Sequence, residues 1–186
     1  VDTFRMLTHP GTSILPGALG ASEAVSASGK QFITGVAAGY EVMERLAADY
    51  IPTVMSRGFH ASPVFGIFGA AIAAAKIMNL TEEQINNVIG MCVHLSSGNL
   101  EGPRSGGRAL REGAAARNAM VAISLAVMGQ IGGETTLDGE AGFYHAYSGN
   151  NLGSEFITFF EFSYHTAGSR TPHEPTDLGS VFVRII

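Results

Sequence analysis

From Ser62 to Asn79 the chain reads SPVFGIFGAAIAAAKIMN, and Lys76 is the one charge in that run. Ser62-Pro63 has the form of an N-cap and a first-turn proline, so a helix over Val64 to Asn79 is predicted. That helix is apolar nearly all round. It has no face to offer water, so it must run through the middle of a bundle, and Gly66, Gly69, Ala70, Ala73 and Ala74 let neighbouring helices approach closely.

The rest of the chain supplies such neighbours. Pro16 to about Ala27 reads as a short helix with its proline in the first turn. Ser28-Gly29-Lys30-Gln31 is a capping box opening a helix to about Tyr50, whose apolar stripe is expected at Ile33, Val36, Ala37, Tyr40, Met43 and Ala47. Pro52 is expected to end that segment. Thr81-Glu82-Glu83-Gln84 is a second capping box, followed by Ile85, Val88, Ile89, Cys92 and Leu95 at helical spacing. Ser96 to Gly107 is too rich in Gly, Ser, Asn and Pro for regular structure and reads as a flexible loop. A long Ala-rich helix is then predicted from Arg108 to Gln130.

These segments need no sheet, and the fold class expected is all-α, a helical bundle. After Ser154 the composition changes to EFITFFEFSYHTAG and beyond, aromatic and β-branched, which admits an irregular or hairpin-like C-terminal tail. The domain reading is therefore a helical domain over 1–150 and an atypical tail over 151–186.

Eleven Lys and Arg stand against sixteen Asp and Glu, a net charge of −5, so there is no broad basic field for a nucleic-acid backbone. No charge-free run reaches the roughly 20 apolar residues of a bilayer span. The lone Cys92 can form no internal disulfide and fits a reducing cytoplasm. Cys92 and His94 lie two apart on one helix and point in different directions, so no metal pair is expected. The start, VDTFRML, lacks an initiator methionine, so the chain is expected to begin inside a longer reading frame.

Three places carry chemistry. His60, in SRGFHASPVFG, immediately precedes a helix N-terminus, whose positive end favours nearby anions and the neutral imidazole; Arg57 adds a charge that can hold a carboxylate. A loop histidine capping a neighbouring element explains the same spacing. His9, in Thr8-His9-Pro10-Gly11, reads equally well as a surface turn. Upstream of it, Asp2 and Thr3 offer a carboxylate and a hydroxyl, or simply a chain end. Arg104, Arg108 and Arg111 surround the start of the long helix, the wrong end for cations unless an anion meets them; pairing with Glu101 or Glu112 is the alternative.

Taken in order, HPGTSILPGALGASEA, SGKQFITGVAAGYEV, RGFHASPVFGIFGAAIAAAKIMNLTEEQINNVIG and EGAAARNAMVAISLAVMGQIGGETTLDGEAGF resemble the helical domain of the MmgE/PrpD family. The family includes 2-methylcitrate dehydratases, cis-aconitate decarboxylases and iminodisuccinate epimerases, and the resemblance spans Asp2 to Phe143. It implies a cofactor-independent, metal-free lyase or epimerase for small polycarboxylates such as cis-aconitate or the 2-methylcitrate of propionate catabolism, usually a homodimer.

His9 matches the family's His-Pro motif and His60 its Gly-Phe-His motif, both lining the active site. Asp2 and Thr3 look like the end of its Asp-Asp-Thr motif. Arg108 falls where many members have an active-site lysine, and Arg111 where a histidine is common. Arginine holds a carboxylate but stays protonated, so both are expected to bind rather than titrate. The resemblance thus implies His60, His9, Thr3 and Asp2 as catalytic and Arg108, Arg111 and Arg57 as substrate-binding. The family's lid is not recognisable after Phe143, and the helical domain is expected to be incomplete at its N-terminus. The competing expectation is a catalytically silent helical module that self-associates.

Overall fold

The computed structural model describes residues 8–101 and 106–149. Asp2, Thr3, Arg104 and the expected tail over 151–186 lie outside the described residues. The described chain forms seven helices and no strand. They are α1 (Gly11–Val25), α2 (Gly29–Ala47), α3 (Ile51–Ser56), α4 (Ala61–Ile77), α5 (Glu82–Leu95), α6 (Gly107–Val127) and α7 (Phe143–Ser148).

α4 is the axis of the bundle, packed by α1, α2, α5 and α6. Every residue of it except Lys76 is buried, as a helix without a polar face requires. It begins two residues earlier than its proline suggests. His60 is the N-cap, while Ser62 turns its hydroxyl inward, fully buried, to accept a hydrogen bond from the His9 backbone N–H at 2.9 Å.

α2 keeps part of the expected face: Met43 and Ala47 are buried and Val36 and Tyr40 half-buried, while Ala37 is exposed. Ile33 is 68% exposed, and the buried positions are Gly35, Gly39, Val42, Met43, Leu46 and Ala47. A Cβ on Gly39 would lie 2.5 Å from the Gly69 carbonyl oxygen, and one on Gly35 2.8 Å from that of Ala73. The helices therefore meet backbone to backbone. Close approach along a smooth seam brings more atoms into dispersion contact than one isoleucine near the helix start would add.

Three boundaries also differ. α1 starts at Gly11, with Pro16 inside it on the exposed side, where water can take the carbonyl that the proline leaves without a donor. α2 ends at Ala47, and Pro52 sits in the first turn of α3, where its fixed φ is favourable. α6 ends at Val127, short of Gln130. Both capping boxes are present, Ser28 with Gln31 and Thr81 with Gln84.

α7 has too few residues to show a period, yet it closes one end of the core. Phe143 packs edge-on against Phe65 and Phe68, with ring centroids 5.6 and 5.0 Å away, and Tyr144 stacks on Tyr50 at 4.1 Å.

Candidate active site

The first turns of α1, α4 and α6 come together at one end of the bundle, where α1, α4 and α6 pack on one another. The loop after α5 sets the position of His60. The His60 N–H donates to the Gly98 carbonyl at 3.0 Å, and the Leu100 N–H donates to that of Gly58 at 2.7 Å. Gly98 has φ +131°, and a Cβ there would lie 2.7 Å from the Pro63 ring, so only glycine lets the loop pass this close to the start of α4. Ser96 fixes the same loop from below, its hydroxyl donating to the Val64 carbonyl at 2.9 Å.

The imidazole of His60 is 12% exposed, and its Nδ1 faces Glu112 Oε1 at 3.5 Å. Burial holds its pKa down at about 4, helped by the Arg111 guanidinium, His9 and Arg108. His60 is therefore neutral near pH 7. Burial raises the Glu112 carboxyl, opposed by a hydrogen bond from Thr12 and by Arg111, His9 and Arg108. The Thr12 hydroxyl lies 3.0 Å from Glu112 Oε2 and 2.6 Å from the His9 carbonyl oxygen, with one proton to give.

His9 enters beside them, its backbone tied to Ser62 of α4. Arg111 donates from Nη1 to the Asn99 carbonyl at 2.7 Å, while its Nε is buried without a hydrogen-bond acceptor. Arg108 lies exposed in the first turn of α6, a turn with no acidic residue and no side-chain cap. The structure thus gathers His9, His60, Arg108 and Arg111. Arg57 goes elsewhere: it is exposed at the C-terminus of α3, and its Nη2 donates to the Ala146 carbonyl of α7 at 3.3 Å.

Two members of this cluster, Glu112 and Thr12, were not expected as site residues. Glu112 follows Arg111 directly and stands four after Arg108, a spacing that reads as surface ion pairing. Only the crossing of α6 over the start of α4 turns it toward His60. Thr12 carries no sequence signal beyond lying one turn after His9.

Chemically, the recess offers a neutral imidazole able to take a proton, two guanidinium groups for carboxylates, and helix N-termini that favour negative charge. Cys92 lies apart from it, fully buried, and burial pushes its thiol well up. Among the described residues no cluster of His, Cys, Asp or Glu could hold a metal ion, and no helix is long and apolar enough to cross a membrane.

The sequence profile of the MmgE/PrpD N-terminal domain matches residues 1–154. The cis-aconitate decarboxylase of Mus musculus is 30% identical over 165 residues, covering 82% of this chain and 33% of that protein. That of Homo sapiens is 29% identical over 157 residues, 79% of this chain and 32% of its own length. A cis-aconitate decarboxylase-like protein of Aspergillus oryzae is 28% identical over 139 residues, 70% of this chain and 29% of its own. The chain spans about a third of the length of these relatives.

Proposed function

The chain belongs to the MmgE/PrpD family, and from that premise we propose that the meeting of α1, α4 and α6 is one wall of a lyase site for a small polycarboxylate. The observation that carries the reading is His60: neutral, largely buried, and ringed by His9, Arg108 and Arg111. Cis-aconitate decarboxylation is the first reaction to test, because relatives at 28–30% identity bear that name. 2-Methylcitrate dehydration and epimerisation of a dicarboxylate are the family's alternatives.

In each of these reactions a proton moves to or from carbon beside a carboxylate. His60 serves as the group that moves it, and His9 is the second proton carrier on the same wall. Arg108 and Arg111 hold carboxylates and stabilise the enediolate-like charge; being arginines, they bind without titrating. Asp2 and Thr3 are assigned to the same site by their motif, as the neighbours of His9 in sequence. Arg57, spent on α7, has the weakest claim to substrate. No cofactor is required by this chemistry. Residues 1–150 act as the helical unit, and 151–186 as a distinct tail.

The test is turnover of cis-aconitate and 2-methylcitrate, followed by proton NMR, with the purified chain and with its complete reading frame. In the active form His60→Gln should lower kcat by about a hundredfold or more. Full turnover in that variant would remove His60 from the mechanism. Activity only in the complete frame would confine the claim to the larger protein.

A second reading has its own observation. Leu15 and Leu19 on α1 are 45% and 53% exposed, and Leu110 on α6 is 72% exposed, an apolar surface suited to self-association. In the lyase reading it serves a homodimer, and in the second reading a catalytically silent helical module. Light scattering of the chain tests the self-association that both readings share, and the turnover assay separates them.

A further inference from the structure

Glu112 has no part in the roles just assigned, yet it is the only carboxylate that the described residues bring against His60. Its two oxygens are used differently. Oε2 lies 3.0 Å from the Thr12 hydroxyl, whose one proton is shared with the His9 carbonyl oxygen at 2.6 Å, a contact that ties Glu112 to the first turn of α1. Oε1 is thereby left facing His60 Nδ1 at 3.5 Å, just beyond hydrogen-bond length. Nδ1 is itself buried and has no hydrogen-bond partner at that distance.

A buried ring nitrogen with a single oxygen in front of it has two ways to be satisfied. It can carry a proton and donate to a carboxylate, or it can accept from a protonated carboxyl. The choice fixes the other nitrogen, since a neutral imidazole has one proton. The two arginines beside the ring do not compete for Nδ1 as acceptors. Arg108 and Arg111 are donors only, and Arg111 is committed through Nη1 to the Asn99 carbonyl.

We propose that Glu112 is a positioning residue that keeps the His60 proton on Nδ1 and so presents the Nε2 lone pair to substrate as the base. Thr12 holds Glu112 in the orientation that does this. In a dehydration or an epimerisation, Nε2 takes the carbon-bound proton and the electron pair of the broken C–H bond stays on the substrate as the enediolate held by the arginines; a decarboxylation, which breaks a C–C bond, releases CO2 and adds a proton to carbon, does not use this step. The imidazolium that forms is matched by the Glu112 carboxylate at Nδ1. The 3.5 Å contact shortens as that charge develops, as catalytic contacts that are long in unliganded proteins commonly do. Nδ1 protonation and its dependence on Glu112 rest on the lyase reading only for their use in catalysis; the tautomer itself is a property of the free chain.

The experiment reads the tautomer directly. The full chain is labelled with 15N-histidine, and two-bond nitrogen-proton spectra of the wild type, Glu112→Gln, Glu112→Ala and Thr12→Val are recorded near pH 7, with His60→Gln assigning the signal. The wild type is expected in the Nδ1–H form. Glu112→Ala should move the ratio toward Nε2–H, the form free histidine favours, by about fivefold. Glu112→Gln keeps the volume and an acceptor oxygen, so it should retain most of the Nδ1–H form; Thr12→Val should shift the ratio the same way as Glu112→Ala, but less. A wild-type Nε2–H tautomer, or a ratio unmoved by Glu112→Ala in a chain whose amide spectrum is otherwise native, overturns the proposal. Because no substrate is present, these outcomes are independent of whether the chain turns over cis-aconitate.

Discussion

α4 takes part in two kinds of contact along its length. Through its body it meets α2 at Gly35 and Gly39, which lie close against the Ala73 and Gly69 carbonyls and the Ile77 side chain. At its start it also meets α1 and α6 through the polar groups of His60, Ser62, Thr12 and Glu112. The first is held by shape and has no tolerance for an added atom. The second is held by a few directed contacts around partly exposed charges, and its energetics depend on pH. The close seam sets α4 against α2, and the loop after α5 then sets His60 through the Gly98 carbonyl.

The largest effect is expected where the seam's core is emptied. Phe65→Ala removes a fully buried ring that α7 packs against and should lower stability by about 3–5 kcal/mol, read from urea unfolding. Next, Gly39→Ala puts a Cβ 2.5 Å from a backbone oxygen; the helices must separate, at a loss of about 2–3 kcal/mol despite alanine's better helix propensity. Gly20 is the control, since nothing lies within 4 Å of a Cβ there. Gly20→Ala should gain up to about 1 kcal/mol, and equal effects at the two glycines would break the distinction between seam and surface.

At the polar end the effect is conditional. Folded His60 binds its proton with a pKa of about 4 against 6.5 in the unfolded chain, so unfolding takes up a proton between those values. Stability is therefore lost as pH falls from about 6.5 toward 4, by at most about 3 kcal/mol. Glu112 has the opposite sign: its carboxyl is raised when folded, so its contribution is present below 4.5 and is lost as pH rises above it. His60→Gln should flatten the loss on acidification, and Glu112→Gln should steepen the change just above 4.5. Unfolding midpoints with the same pH dependence in His60→Gln as in the wild type would contradict the burial assigned to that imidazole.

The smallest effect is expected at Arg57. Its hydrogen bond to the Ala146 carbonyl is exposed, so Arg57→Ala should cost less than about 1 kcal/mol. A loss of carboxylate binding in that variant, with stability unchanged, would return Arg57 to the site.

Much of this was legible locally. The two capping boxes were readable because their partners lie three residues apart and need nothing else to form. The burial of α4 was readable because a helix without polar residues has one environment open to it. The face of α2 was readable only in its second half, at Met43 and Ala47, because glycine adds nothing to a hydrophobic stripe while deciding how close two backbones come. α7 has only six residues, too few for a period, and its aromatic rings acquire meaning only against Phe65, Phe68 and Tyr50.

The site divides in the same way. His9 and His60 could be named from their motifs, and Arg108 and Arg111 from cations placed at a helix start that disfavours them. Glu112 looked like a partner for those arginines, and Arg57 like a carboxylate clamp. Their places were exchanged when α6 crossed the start of α4 and α7 offered Arg57 a carbonyl. Sequence by itself determined the five longer helices, the two capping boxes and which helix lies at the centre, since these follow from spacing along a single segment. Which carboxylate faces His60, and that Arg57 turns to α7, was decided by tertiary packing, because those contacts join residues 52 and 89 positions apart that no local pattern couples.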